Sequence, residues 1–96
     1  QTKQRNIMEK DLETYLRKKA KEKGGLALKF VSPGFTGVMD RICLFPGGVV
    51  IFIETKNTGL KVKPGSRQDY VRRQFKTLGL NVYEANSKKE IDEILS

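Results

Sequence analysis

The 96-residue chain suits one domain and is short for two, and its composition restricts the chemistry it can perform. Nineteen basic residues against eleven acidic ones give a net charge of +8, which favours nucleic acid as a partner over an acidic membrane surface or protein. The absence of histidine excludes Ser-His and Cys-His nucleophilic catalysis and His-ligated zinc. Any acid–base or metal chemistry must therefore come from carboxylates, lysines and backbone groups.

The hydropathy pattern predicts a soluble intracellular protein. No segment approaches the roughly 20 apolar residues that span a bilayer, and the longest apolar run is Val49 to Ile53. The charged N-terminal stretch lacks the apolar region of a signal peptide. The lone Cys43 rules out an internal disulfide and a cysteine-based zinc cluster, and its apolar neighbours predict a small buried hydrophobic residue.

The first predicted element is a helix from about Ile7 to Lys23. Apolar residues recur there at helical spacing, and the pair Gly24-Gly25 ends the run. Leu26 to Val31 is predicted to be a strand, and residues 32–37 form a loop that contains proline and two glycines.

Two strands joined by a tight turn come next, from Val38 to Phe45 and from Val49 to Lys56. The turn residues Pro46-Gly47-Gly48 are typical of a β-hairpin. Because both faces of these strands are apolar, we expect central strands that are covered by helices on each side.

A second helix is predicted after the polar loop 57–65. Ser66 with Asp69 resembles a capping box that begins this helix, which ends near Leu78 before Gly79. Its apolar positions indicate that one side of the helix packs on the sheet.

The chain closes with a short strand, Asn81 to Ala85, and a last helix that ends at Leu95. Ser87 with Glu90 forms the capping box that begins this helix. The predicted order is α-β-β-β-α-β-α in a single domain over residues 1–96, without repeats or linkers.

The hairpin places two carboxylates and an amine together. With a three-residue turn, Phe45 faces Val49 and Asp40 lies directly opposite Glu54. Lys56 shares the face of Glu54, since side chains two residues apart on a strand point the same way. A two-residue turn would shift the register by one and set Asp40 diagonal to Glu54, with all three groups still at the same strand ends.

Neighbouring carboxylates at the end of a covered sheet destabilise the fold unless something offsets their repulsion. A divalent cation would do so, because Mg²⁺ commonly binds through one or two carboxylates plus substrate phosphate. Lys56 would then neutralise charge or orient a nucleophilic water. The competing interpretation is a surface salt bridge among Glu54, Lys56 and Arg41, which contributes little to stability. The covered strands and the positive charge favour the metal site.

These residues, in this order, resemble a known nuclease motif. Gly37 to Arg41 followed by Ile53 to Lys56 is similar to the PD-(D/E)XK nuclease motif on its αβββαβ core. Met39 stands where the family usually has proline, a residue that shapes the backbone and does no chemistry.

The resemblance is closer to the virus-type replication-repair nuclease (VRR-NUC) domain and spans roughly residues 9–85. The matching pieces are residues 24–34, the turn 46–48, and Gln68 about one helix before Leu78-Gly79. It implies an α/β, single-domain, restriction-endonuclease-like fold with a mixed central sheet flanked by helices.

The resemblance also implies hydrolysis of DNA phosphodiester bonds with Mg²⁺ or Mn²⁺. Asp40 and Glu54 would be metal ligands, with the Thr55 carbonyl as a backbone ligand. Lys56 would position or activate the attacking water, and Gln68 would support the site from the start of the second helix.

A glutamate on the first helix would complete the site. The family's pattern fits Glu13 best, whereas Glu9, one turn earlier on the same side, points even closer to the apolar stripe. The resemblance further implies a homodimer that acts on branched DNA such as four-way (Holliday) junctions, because two symmetric cuts need two active sites. It also fits a phage- or virus-encoded protein that acts in the host cytoplasm.

Basic residues near the predicted site are candidates for contacts to the DNA backbone, although those on the second helix could equally form a solvated face. They lie in the loop before the second helix and on that helix: Lys61, Lys63, Arg67, Arg72, Arg73 and Lys76. Phosphate contacts carry no sequence readout, so we expect recognition of DNA shape.

Two other functions fit the composition. A non-catalytic nucleic-acid-binding module on the same fold would bind DNA with or without Mg²⁺ and would not cleave it. A basic protein that docks on an acidic partner would have no affinity for nucleic acid at low salt.

Overall fold

The computed structural model describes residues 8–57 and 59–96, which form three helices on a four-stranded sheet. In chain order the elements are α1 (Glu9–Glu22), β1 (Leu26–Lys29), β2 (Arg41–Phe45), β3 (Val49–Thr55), α2 (Arg67–Thr77), β4 (Asn81–Ala85) and α3 (Lys88–Leu95). The strands lie in the order β1-β2-β3-β4, with β3 and β4 parallel and the other neighbours antiparallel. The predicted element order and mixed sheet are confirmed; Ile7, the predicted start of α1, lies outside the described residues.

The sheet is covered on both faces, as the apolar strands predicted. On one face α1 and α3 pack on the strands through a core of Leu12, Leu16, Ala20, Ala27, Cys43, Ile51, Ile53, Ala85, Ile91 and Leu95. On the other face α2 closes a smaller core of Met39, Phe52, Val71 and Val82. The thiol of Cys43 is fully buried, and burial raises its pKa to about 11, in keeping with a small hydrophobic residue.

The hairpin between β2 and β3 has the predicted three-residue turn. Phe45 pairs with Val49 and Arg41 pairs with Ile53. Gly47 and Gly48 both adopt the left-handed conformation, with φ of +84° and +78°, which glycine reaches at little cost. The register therefore brings Asp40 and Glu54 to neighbouring positions at the open end of the hairpin.

Three strand boundaries differ from the prediction. β2 begins at Arg41 and not at Val38, because the chain bends at Asp40 and Met39 is buried in the core under α2. β1 correspondingly ends at Lys29, although the Phe30 N–H still donates to the Asp40 carbonyl at 2.8 Å. β3 ends at Thr55, one residue earlier than predicted.

Two of the helices begin at the predicted caps. The Ser66 hydroxyl accepts the Asp69 N–H, and the Ser87 hydroxyl accepts the Glu90 N–H, each at 3.1 Å. Leu78, the predicted end of the second helix, is 74% exposed because it follows the last turn of α2. Among the described residues, no helix combines the length and apolar composition that crossing a membrane requires.

Candidate active site

Four carboxylates converge where β2 begins and β3 ends. Single carboxylate oxygens of Glu9, Glu13 and Asp40 lie within 4.8 Å of one another. Glu54 joins them through its Oε1, which accepts the Asp40 N–H at 3.1 Å. Both first-helix glutamates that the sequence left as alternatives therefore lie beside Asp40.

The orientation of α1 brings both glutamates to the sheet. Glu9 and Glu13 are four residues apart and so lie on the same side of the helix. The buried side chains of Leu12, Leu16 and Ala20 hold that side against the strands. The guanidinium of Arg41 then forms a salt bridge of 2.9 Å with Glu13, which holds this carboxylate next to the first residue of β2.

The beginning of α1 is capped from outside the helix. The side chain of the N-cap residue, Met8, forms no capping hydrogen bond, and the Glu9 N–H donates to Asn57 Oδ1. Asn57 comes directly after Lys56, so the loop after β3 positions the helix that carries Glu9 and Glu13. Sequence reasoning missed this residue; the only local signal was the missing cap at Met8.

The buried Thr55 links the carboxylates of Asp40 and Glu13. The residue is fully buried, and its hydroxyl lies 3.3 Å from Asp40 Oδ2 and 3.4 Å from Glu13 Oε2. Its N–H also donates to Asp40 Oδ2 at 3.4 Å. The sequence predicted a role for the Thr55 carbonyl, whereas these contacts involve its hydroxyl and N–H groups, which keep Asp40 and Glu13 together.

Glu54 is the most deeply buried acid of the group, with 2% of its surface exposed. Burial and the nearby charge of Asp40 raise its pKa to about 7, against the opposing effects of Lys56 and of a hydrogen bond with Gln68. The Lys56 ammonium lies 3.3 Å from Glu54 Oε2. The structure thus brings together Asp40, Glu54, Lys56 and Gln68, as predicted from the hairpin and the resemblance.

The donor set fits a hard divalent cation. In the described part of the chain, the four acidic groups form salt bridges with only two basic ones, Arg41 with Glu13 and Lys56 with Glu54. Burial and the nearby charges of Asp40 and Glu13 raise the pKa of Glu9 as well. Oxygens that share one Mg²⁺ at about 2.1 Å lie no more than about 4.2 Å apart, so the present spacing needs only small side-chain movements.

The predicted basic loop is held against β4. The Val62 side chain is buried, and its N–H donates to Glu84 Oε2 at 2.7 Å. The Asn86 amide donates to the Leu60 carbonyl at 2.9 Å. Sequence reasoning missed Glu84 and Asn86, whose contacts cross more than twenty residues of chain. Because Val62 is held inward, its neighbours in the loop, Lys61 and Lys63, are exposed.

The basic residues of α2 fall into two groups. Arg72 and Arg73 form salt bridges with Asp69, at 2.9 and 3.5 Å, and so part of their charge stabilises the start of the helix. The Gly65 N–H and the Arg72 guanidinium lower the pKa of Asp69 accordingly. Arg67 and Lys76 are exposed. Within the described residues Arg67 and Lys76 form no salt bridge, whereas the pairing with Asp69 offsets part of the charge of Arg72 and Arg73.

Known proteins share this architecture and sequence. A solved structure described as a VRR_NUC domain superposes with a TM-score of 0.83 and 28% identity, over 91% of this chain and 92% of that one. The chain is also 41% identical over 68 residues to "Putative nuclease p44" of Acyrthosiphon pisum secondary endosymbiont phage 1, a match that covers 71% of this chain and 73% of that protein. No family model matches the chain. The chain belongs to the VRR-NUC domain family and has its restriction-endonuclease-like fold.

Proposed function

We propose that the protein is a divalent-metal-dependent DNA endonuclease that hydrolyses phosphodiester bonds. One observation carries the proposal: the carboxylates of Glu9, Glu13, Asp40 and Glu54 converge beside the Lys56 ammonium at the end of a covered sheet. The family and the phage relative named as a nuclease support the same reaction class.

Mg²⁺ or Mn²⁺ is the proposed cofactor. Asp40, Glu54 and the Thr55 carbonyl would hold it, together with Glu9 or Glu13. When bound, the cation would lower the pKa of a coordinated water and stabilise negative charge that develops on the phosphoryl oxygens. The raised pKa of Glu54 supports this assignment, because a cation would offset both the burial and the nearby charge of Asp40 that disfavour its ionised form.

The remaining residues orient this centre. Lys56, 3.3 Å from Glu54, would position the attacking water and offset charge on the scissile phosphate. Gln68 would hold the Glu54 carboxylate from the first turn of α2. Arg41 would keep Glu13 turned toward Asp40 through their salt bridge.

Basic side chains on one loop and one helix would hold the DNA. The exposed residues Lys61, Lys63, Arg67 and Lys76 would contact phosphates, with Arg72 and Arg73 contributing less because Asp69 pairs with both. We propose branched DNA, including four-way junctions, as the preferred substrate. A homodimer with two such centres would make two symmetric cuts.

Cleavage of labelled linear, flap and four-way DNA with Mg²⁺, Mn²⁺ or EDTA tests the proposal. We expect product with either metal and none with EDTA. Replacing Lys56 with alanine should lower the cleavage rate by roughly 10²–10⁴-fold, the usual effect of removing a group that assists proton transfer. This variant also serves as the control for a contaminating nuclease, since a contaminant would be unaffected.

Binding without cleavage would contradict the proposal. If DNA affinity is the same with Mg²⁺ and with EDTA and no product forms on any substrate, the chain is a non-catalytic DNA-binding module. Size-exclusion chromatography with light scattering on the same samples would establish whether the protein is a dimer.

A further inference from the structure

The Arg67 guanidinium lies over two exposed aromatic rings, and Arg67 is followed in sequence by the candidate active-site residue Gln68. The Arg67 guanidinium carbon lies 4.8 Å from the centre of the Phe35 ring and 5.4 Å from the centre of the Tyr70 ring. Phe35 is 40% exposed and Tyr70 is 48% exposed. We call these three residues the aromatic rim.

Two hydrogen bonds and a glycine hold the loop that carries Phe35 in place. Arg67 Nε donates to the Thr36 carbonyl at 3.0 Å, and the Phe35 N–H donates to the Ser32 carbonyl at 3.2 Å. Gly37 has a φ of +89°, and a Cβ atom there would lie 2.7 Å from the Arg67 side chain. Only glycine fits this conformation and spacing, so the loop places Phe35 over Arg67.

Two segments of the chain connect the aromatic rim to the catalytic residues. Along α2, Arg67 precedes Gln68, whose side chain acts on the Glu54 carboxylate. Along the loop, Gly37 is followed by Val38, by the buried Met39 and then by Asp40. DNA whose phosphate lay at the carboxylates would therefore have nucleotides within reach of Phe35 and Tyr70.

We propose that the aromatic rim binds a DNA base that has left the helical stack, next to the bond to be cut. This inference rests on the proposed function and narrows its substrate to DNA with an unstacked nucleotide. Every base has a flat face that stacks on aromatic rings and on the guanidinium plane, so such binding needs no particular sequence. The positive charge of Arg67 and of the neighbouring loop lysines complements the DNA backbone.

A paired duplex offers no such base, whereas branch points and bulges do. Single exposed rings are common on protein surfaces, and Tyr83 is as exposed as Phe35. What distinguishes Phe35 and Tyr70 is that both rings lie next to the same guanidinium, which is fixed by its hydrogen bond to Thr36. This grouping of two rings and a cation favours a stacking surface.

Binding measurements in EDTA test the aromatic rim without cleavage. Two DNAs of the same sequence are used, a continuous duplex and a duplex with one unpaired fluorescent purine analogue in a bulge. Wild-type protein should quench the analogue, and Phe35→Leu should weaken binding to the bulged DNA about tenfold while it changes duplex affinity less than about twofold. Tyr70→Leu should behave in the same way and covers the case in which the loop variant unfolds.

The chain contains no tryptophan, so Phe35→Trp introduces a single reporter at the aromatic rim. Its fluorescence should be quenched by bulged DNA and little affected by duplex. Tyr83→Leu is the matched control, because Tyr83 is a similarly exposed ring, 41% exposed, on β4. Tyr83 pairs with Ile53, whose side chain lies on the face of the sheet that α1 and α3 cover, away from α2. Tyr83→Leu should change the affinity for neither the bulged DNA nor the continuous duplex.

The proposal is overturned if Phe35→Leu and Tyr70→Leu weaken both DNAs equally, or neither, or if the Phe35→Trp signal does not distinguish them. Failure of the aromatic rim in these binding measurements can be distinguished from failure of the proposed nuclease activity. A protein that cut no DNA with Mn²⁺ could still quench the bulge analogue, and a nuclease without the stacking surface would still cut.

Discussion

Replacing Asp40 with asparagine is expected to lower DNA cleavage by about 10²–10³-fold, the scale of removing one preorganised electrostatic group from an active site. Asp40 lies at the centre of the cluster, within 4.8 Å of oxygens of Glu9 and Glu13, and its N–H contacts Glu54. Asparagine has the same shape, and its Oδ1 can still accept the Thr55 N–H. The fold should survive while the charge that attracts the cation is lost.

Initial cleavage rates and calorimetric Mn²⁺ titrations on the same protein check this expectation. Both the rate and the Mn²⁺ affinity should fall for Asp40→Asn. Asp11→Asn is the matched control, since Asp11 is an exposed acid of α1 outside the cluster, and should leave both quantities near wild type. Cleavage by Asp40→Asn within about tenfold of wild type, at saturating Mn²⁺, would show that this carboxylate does not hold the metal.

Without metal, the protein is expected to become less stable as the pH rises from about 4.5 to about 7. Burial and the charge of Asp40 raise the pKa of Glu54 from 4.5 to about 7 in the folded chain. The folded state therefore binds more protons than the unfolded state in this range, and stability that is present below pH 4.5 is lost as the pH increases. A shift of this size corresponds to at most about 3 kcal/mol. Glu9, whose pKa burial also raises, acts in the same direction.

Urea unfolding in EDTA at a series of pH values measures this dependence. Glu54→Gln should flatten the curve and make the metal-free protein more stable than wild type near pH 7.5. Glu93→Gln, at an exposed position of α3, should leave the slope unchanged. Saturating Mn²⁺ should reverse the wild-type slope, because the cation binds the ionised carboxylates. A metal-free stability that stays constant or rises between pH 5 and 7 would show that the carboxylate cluster carries no repulsive strain.

Most of the fold could be predicted because its signals are local. Glycines end α1 and form the hairpin turn, and serine caps begin α2 and α3, each within a few residues of the feature they determine. The predicted start of β2 was wrong because a tertiary contact determines it. Val38 and Met39 continue the apolar pattern of the strand, but Met39 turns into the core under α2, a contact that local pattern does not contain.

The proximity of Asp40 and Glu54 could also be predicted from a local signal. The turn length sets the hairpin register, and the register sets Asp40 beside Glu54, with Lys56 two residues further on. The residues that support this pair are different, because they act across long stretches of chain. Asn57 caps a helix 48 residues away, and Arg41 binds Glu13 across 28 residues. No spacing rule connects such positions before the fold is known.

The most direct test of the cation site is the anomalous signal of Mn²⁺ in crystals of the wild-type protein. A peak is expected among the carboxylates of Asp40 and Glu54 and those of Glu9 or Glu13, and its position would show which first-helix glutamate completes the site. The same crystals of Asp40→Asn should lose the peak. If crystals saturated with Mn²⁺ show no ion among these side chains, the carboxylates do not form a metal centre and the proposed mechanism is contradicted.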